Sequence, residues 1–253
     1  MFSKSSLSLT KQLLASQLLA PRLNATGVSL KESFKLNYRA LLSEYFGTTV
    51  LVATIVGSGI MGTNLSDDTL VVLLVNALAT VFVLGILILT LGPVSGAHFN
   101  PLVTIALART KQFPVKQILP FVLVQVLGAI FGAAIANSMF SKEVFQISTN
   151  QRFEVGTALG EVIATLLLLF VILSLLRTES SKLIALAVPA VIGSGYFFTS
   201  STSFANPAVT VGRIFSDSFA GIAPSSVPGF LVFQVVGAAL AIGLVNLLSS
   251  KKH

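Results

Sequence analysis

Six stretches of this chain, at about 41–61, 70–91, 118–138, 157–176, 183–200 and 228–248, are apolar around their whole circumference and bounded by polar residues or Gly/Pro breaks. Each approaches the ~20 residues that a helix needs to cross a bilayer. Helices of a soluble core would show amphipathic stripes instead. Only 10% of the residues are charged, against 54% hydrophobic, and the mean hydropathy is +0.90. An average globular domain is roughly a quarter charged, so this chain could not cover a water-facing surface. The sequence therefore predicts an all-α membrane protein with six spans and excludes a large soluble catalytic domain.

Other chemistry is bounded as firmly. There is no cysteine, which removes disulfides, thiolate metal sites and cysteine nucleophiles. The two histidines, His98 and His253, cannot by themselves hold zinc. No nucleophile–base pair stands out, so no enzyme activity, cofactor or resident metal is expected.

The net charge of +7 resembles a nucleic-acid signal until the positions are read. Of 16 Lys and Arg, thirteen lie before the first span, between spans two and three, between spans four and five, or at the C-terminus. Lys142, Arg152 and Arg213 alone lie on the other side. The positive-inside rule then puts both termini in the cytoplasm of an integral, multi-pass protein. Membrane lipid is the expected partner and nucleic acid is not.

Residues 1–39 differ in kind, being basic and Ser-rich with a single acidic residue, Glu32, over the first 37 positions. They read equally as a membrane-surface or transit-like segment and as a disordered cytoplasmic extension, and are too polar for a secretory signal peptide. Residues 40–249 read as one membrane domain, with 250–253 as a tail.

That domain is internally duplicated. Glu44 at the head of the first span matches Glu161 at the head of the fourth. Asn100 in SGAHFNPLVTIALAR matches Asn206 in STSFANPAVTVGR. FVLVQVLGA from Phe121 matches FLVFQVVGA from Phe230, pairing Gln125 with Gln234, Gly128 with Gly237 and Asn137 with Asn246. The halves, about 40–140 and 157–249, each hold three spans, and an odd number inverts the second copy in the membrane. The glycine pairs Gly128/Gly132 and Gly156/Gly160 are expected to permit close helix crossings.

Each Asn-Pro box opens a short helical pattern, Pro101 to Leu107 and Pro207 to about Phe215. Asn as N-cap and Pro at the first helical position make a good helix start. About ten residues reach only roughly 15 Å, half the hydrocarbon core. Two half-helices entering from opposite faces would meet at the midplane as one broken span. The approaches to them, Gly92 to Phe99 and Ser200 to Ala205, are rich in Ser, Thr and Gly, and backbone of this kind is tolerated at such depth only in protein or along a water-filled cavity. Facing N-termini oppose cations, while the Asn amides can bond a neutral solute. This reads as a passive pore for uncharged molecules.

On these motifs the chain resembles the major intrinsic protein family, the aquaporins and aquaglyceroporins, from about residue 40 to 249. The resemblance implies a right-handed six-helix bundle with two re-entrant half-helices, one pore per protomer and a homotetramer. It further implies a pore midplane of Asn100, Pro101, Leu102, Asn206, Pro207 and Ala208. Leu102 stands where the family usually has Ala, which is expected to crowd the contact between the half-helix tips. Glu44 and Glu161 match buried glutamates that hold the pore loops, and His98 matches a residue lining the cytoplasmic half.

The outer constriction, counted back from the boxes, falls on Thr80, Ser194, Ser203 and Val209. A water-selective pore has an aromatic residue, a His and an Arg there. Here Val209 stands in the Arg position and Thr80 in the aromatic one, so the constriction is expected to be wide and uncharged. Arg213, about two turns beyond Asn206, is expected in the outer vestibule or complementing the C-terminus of its half-helix. Such a filter suits water together with glycerol- or urea-sized solutes or neutral metalloid hydroxides such as arsenous acid, and the run SFANPAVT resembles a bacterial branch linked to arsenic resistance. The alternatives are a water-selective aquaporin and an inverted-repeat secondary active transporter. The latter normally carries ionisable groups at a midplane site.

Overall fold

The computed structural model describes residues 37–249. Most of the basic extension, residue 250 and the three residues that follow, His253 included, lie outside the described residues. In chain order the helices are α1 (Tyr38–Leu65), α2 (Thr69–Ser95), α3 (Pro101–Arg109), α4 (Ile118–Met139), α5 (Val155–Arg177), α6 (Ile184–Phe198), α7 (Pro207–Gly212) and α8 (Val227–Leu247). Six of them, all but α3 and α7, are long and apolar enough to span a membrane, α6 with the 3-10 turn Ser181–Leu183 ahead of it. The described residues contain no strand. This is the all-helical, six-span fold with two half-helices read from the sequence.

Local chemistry explains most boundaries. Asp68 caps α2, its carboxylate accepting from Leu70 N–H at 2.8 Å. At the head of α5, Thr157 Oγ1 accepts from Glu154 N–H at 2.8 Å, satisfying a donor that the first helical turn leaves free. The clearest departure from the sequence reading is at the end of α2. Gly92 to Ser95 belong to the helix and not to the loop, because Pro93 removes one donor without stopping the turn. The stop is Gly96, whose φ of +91° forms a left-handed cap with its N–H on Gly92 O.

Packing follows the duplication. α1 lies against α4 and α5 against α8. A methyl group added at Gly128 or Gly132 would come within 2.5 Å of Tyr45 O and 2.4 Å of Thr49 O, and one at Gly237 within 2.4 Å of Val162 O. These are helix-to-helix backbone contacts of the kind small residues allow in membranes. The expected Gly156/Gly160 pair differs. A Cβ added at Gly156 would meet nothing nearer than Ser200 Oγ at 3.9 Å, and one at Gly160 would meet Ser200 and Ser201 of the loop after α6 at 2.9–3.1 Å. That pair makes room for a loop arm and not for a crossing helix. Val52, Val56, Leu169 and Leu173 are buried between the helices, whereas Phe82, Leu89, Leu119 and Leu186 are exposed on outer faces. Lipid is the solvent that makes such faces stable.

Candidate functional site: two re-entrant arms

The loops that lead into α3 and α7 run through strained backbone. Ala97 and Phe99 have φ of 50° and 49°, and their counterparts Ser203 and Ala205 have 54° and 46°. Non-glycine residues pay ~1–3 kcal/mol each for this region and hold it only when the surroundings insist. The two repeated carboxylates supply that insistence. Glu44, fully buried, accepts from the backbone N–H of His98 at 2.9 Å and Phe99 at 2.7 Å, from Ser95 Oγ at 2.7 Å and from Gln125 Nε2 at 2.8 Å. Glu161, equally buried, accepts from Phe204 N–H at 3.0 Å, Ala205 N–H at 2.9 Å and Gln234 Nε2 at 2.6 Å. In each arm consecutive N–H groups converge on one carboxylate, an anion nest built from alternating left-handed residues.

The glutamines complete the mirror. Gln125 Nε2 also reaches Thr104 Oγ1 at 3.1 Å, and Gln234 Nε2 reaches Thr210 Oγ1 at 3.0 Å. Both hydroxyls donate back to the Asn carbonyl of their own box. Even the unpaired atoms repeat. Thr48 Oγ1 and Thr165 Oγ1, and Gln125 Oε1 and Gln234 Oε1, are buried without a partner among the described residues. Matched orphans of this kind are where buried water is retained.

At the midplane each asparagine side chain crosses to the other arm. Asn100 Nδ2 donates to Ala205 O and Asn206 Nδ2 to Phe99 O, both at 2.8 Å. Their Oδ1 atoms cap their own helices, Asn100 on Leu102 N–H at 2.9 Å and Asn206 on Ala208 N–H at 3.0 Å. Pro101 and Pro207 take the first helical positions. Each primary amide has two N–H bonds, so one remains on each asparagine for a solute. The pair offers donors and no acceptor, which suits an incoming hydroxyl or water oxygen. Leu102 is buried, and the symmetric cross-bonds show that its extra bulk is accommodated without skewing the tips.

His98 packs between two rings, 4.9 Å from Phe113 and 5.4 Å from Phe121. Its Nδ1 lies 3.0 Å from Thr104 Oγ1. That hydroxyl donates its proton to Asn100 O, so Nδ1 is the donor in this contact. The mirror position holds Phe204, which packs at 5.0 Å on Phe230, the counterpart of Phe121.

The expected constriction departs most from the sequence reading. Thr80 is buried on α2, with Oγ1 donating to Asn76 O and lying 3.1 Å from the Tyr196 hydroxyl. Ser194 does not join it. At 100° per residue the buried face of α6 passes through Val188, Ile192, Gly195 and Tyr196, which puts Ser194 on the opposite, exposed side, bonded to Ala190 O. Tyr196 is the α6 side chain that meets Thr80, and helical periodicity counted from Val188 would have found it. Ser203 is buried against Gly195, where an added Cβ would be 2.5 Å from its Oγ. Val209 is buried on α7.

Arg213 is not in an open vestibule: it is 3% exposed. The 3-10 turn Arg213–Phe215 that follows α7 folds its guanidinium to 3.5 Å from the centre of the Phe204 ring, with Nε–H donating to Ala220 O. Arg152 lies 5.5 Å from the same ring and donates to Gly221 O and Phe219 O. Burial lowers Arg152 to about 10, with the Tyr196 phenol acting the other way, so it stays cationic at neutral pH. Composition had already singled out both arginines as exceptions on the sparsely charged side. No cluster of three His, Cys, Asp or Glu able to hold a metal occurs among the described residues.

Comparison with known proteins agrees with this geometry. The sequence matches the family model described as Major intrinsic protein over residues 31–202. It is similar to the aquaglyceroporin AqpS of Rhizobium meliloti (strain 1021), 39% identical over 214 residues that cover 83% of this chain and 90% of that protein. Aquaporin NIP1-1 of Zea mays is 31% identical over 215 residues, covering 82% of this chain and 74% of that protein. Among solved structures, the X-ray structure of the aquaglyceroporin from Plasmodium falciparum superposes with a TM-score of 0.54 at 24% identity, covering 84% of this chain and 100% of the other. At that identity the likeness speaks for the fold.

Proposed function

The chain belongs to the major intrinsic protein family, a channel and not an enzyme, and from that premise we propose that its pore admits glycerol- and urea-sized solutes and neutral metalloid hydroxides such as arsenous acid alongside water. The observation that carries this reading is Val209. Where the resemblance puts an arginine that narrows the outer constriction, the second half-helix presents a buried valine. The midplane amides of Asn100 and Asn206 serve any neutral oxygen acceptor equally well, so size at the constriction decides what passes. The similarity to a bacterial aquaglyceroporin supports the wider solute range. The same resemblance supports a homotetramer, and the basic residues Arg109, Lys111, Lys116, Arg177 and Lys182 on one side support a bacterial inner-membrane protein with both termini in the cytoplasm.

Uptake of water, glycerol, urea and arsenous acid into proteoliposomes tests the reading, with Val209→Arg as its partner. The wild type is expected to pass glycerol, and the variant to lose at least about tenfold of that flux, equivalent to ~1.4 kcal/mol of barrier, while keeping most of its water flux. A wild type that passes water alone would establish the second reading, a water-selective pore, for which the 3.1 Å contact between Thr80 and Tyr196 speaks. Dependence on a proton gradient would point to a transporter.

A further inference from the structure

Resting on the channel reading, the outer constriction raises a question of charge. The arginine that the family resemblance puts three positions after the second asparagine is missing, yet two of the three basic residues on that side converge on Phe204. Arg213 is the deeper. Its guanidinium is stacked on the ring at 3.5 Å, and its Nε–H is held by Ala220 O. No hydrogen bond satisfies its four remaining N–H donors among the described residues, and no carboxylate there pairs with it. Arg152, Tyr196, which touches Thr80, and Glu161, which holds the arm, all act on it electrostatically, the first against its charge and the other two in favour of it. A guanidinium almost wholly removed from bulk water with most of its donors idle is costly unless something that is not protein uses them. At the outer end of a pore that something is the permeating oxygen.

We propose that Arg213 is a specificity-determining residue of this pore. Reaching back from the end of the second half-helix onto Phe204, it supplies the fixed positive charge and the N–H donors that position 209 lacks. Cations, hydronium and ammonium included, meet its field in a low-dielectric wall, while hydroxyl oxygens of neutral solutes accept from it. The constriction is thus wide because residue 209 is small, and still charged because the cation enters from residue 213. Phe204 sets the height of the charge by stacking, a role that Arg performs and a compact ammonium performs less well.

The test compares Arg213→Gln with Arg213→Lys in proteoliposomes, reading methylammonium entry and proton leak, by a trapped pH dye, beside glycerol uptake. Both variants lose the fork that reaches Ala220, so a purely structural role predicts equal behaviour. The proposal predicts that the Gln variant leaks methylammonium and protons at least about tenfold faster than wild type, whereas the Lys variant, which keeps the charge, stays within about threefold. Moving the charge, in Val209→Arg/Arg213→Gln, is expected to restore exclusion. Equal leak in the Gln and Lys variants, or no leak in either, overturns the proposal. Glycerol uptake by the wild type separately tests the solute range, so the two readings can fail independently.

Discussion

Replacing Glu44 by Ala is expected to cost this protein its pore and a large share of its stability. The carboxylate holds the backbone N–H groups of His98 and Phe99 and the amide of Gln125, with Ser95 as a fourth donor. Ser95 Oγ accepts from Ser43 Oγ and Ala97 N–H, and without Glu44 its hydroxyl can turn to donate to Ser43 Oγ instead. The other three cannot, because two are backbone in a strained arm and the third is fixed by Thr104. Each donor left unsatisfied in a buried site costs ~1–3 kcal/mol. Water entering the cavity recovers part of this, leaving a loss of roughly 3–5 kcal/mol, a large share of an ordinary folding free energy. Function fails for a related reason. Phe99 O is the acceptor that orients Asn206, so a displaced first arm also misaligns the second box. Detergent-solubilised Glu44→Ala should melt well below wild type and show little glycerol or water flux at equal reconstituted mass. Glu161→Ala, which frees two backbone donors and a glutamine amide in the same way, should lose a comparable amount. A Glu44→Ala protein that melts and conducts like wild type would mean that the carboxylate does not hold the arm.

This network also shows what the sequence could reveal. Six spans, the duplication, both asparagines and both glutamates were legible because each is written twice in matching register or repeated over some twenty residues. A signal repeated in inverted copies constrains backbone placement without any knowledge of side-chain direction. The outer constriction carries no such redundancy. Position 194 came from an ungapped count, and a shift of two residues turns a side chain by about 200° around a helix, from the bundle interior to lipid. Tyr196 was legible through the period of Val188 and Ile192, whereas Arg213 was not. Its place depends on a 3-10 turn after a helix of six residues and on the reach of a long side chain folding back against the chain direction. The end of α2 was missed for a local reason, since Pro93 looks like a stop and acts as one only for its own missing donor.

The helix crossings are a place where the smallest chemical change should have a large effect. On α8, an added Cβ at Gly237 would sit 2.4 Å from Val162 O, 3.0 Å from Thr165 Cβ and 3.2 Å from Leu166 N. Two of those neighbours are backbone of α5, which no rotamer change can move, so the helices must separate. Overpacking of a tight core costs ~1–3 kcal/mol even where side chains can yield. Here separation would also pull Gln234, on the same helix, away from Glu161 and Thr210, loosening the second arm. Gly237→Ala is therefore expected to lower thermal stability and flux together, and Gly237→Val to prevent accumulation of folded protein. Gly243 lies on the same helix with nothing within 4 Å of its added Cβ. Gly243→Ala should be neutral or slightly stabilising, since Ala favours a helix over Gly by ~1 kcal/mol. Thermal melting by size-exclusion in detergent, with glycerol uptake on the surviving protein, separates the two. If Gly237→Ala and Gly243→Ala behave alike, helix propensity and not close approach governs this face. If only Gly237→Ala fails, the α5–α8 crossing is set by a backbone contact that glycine alone permits.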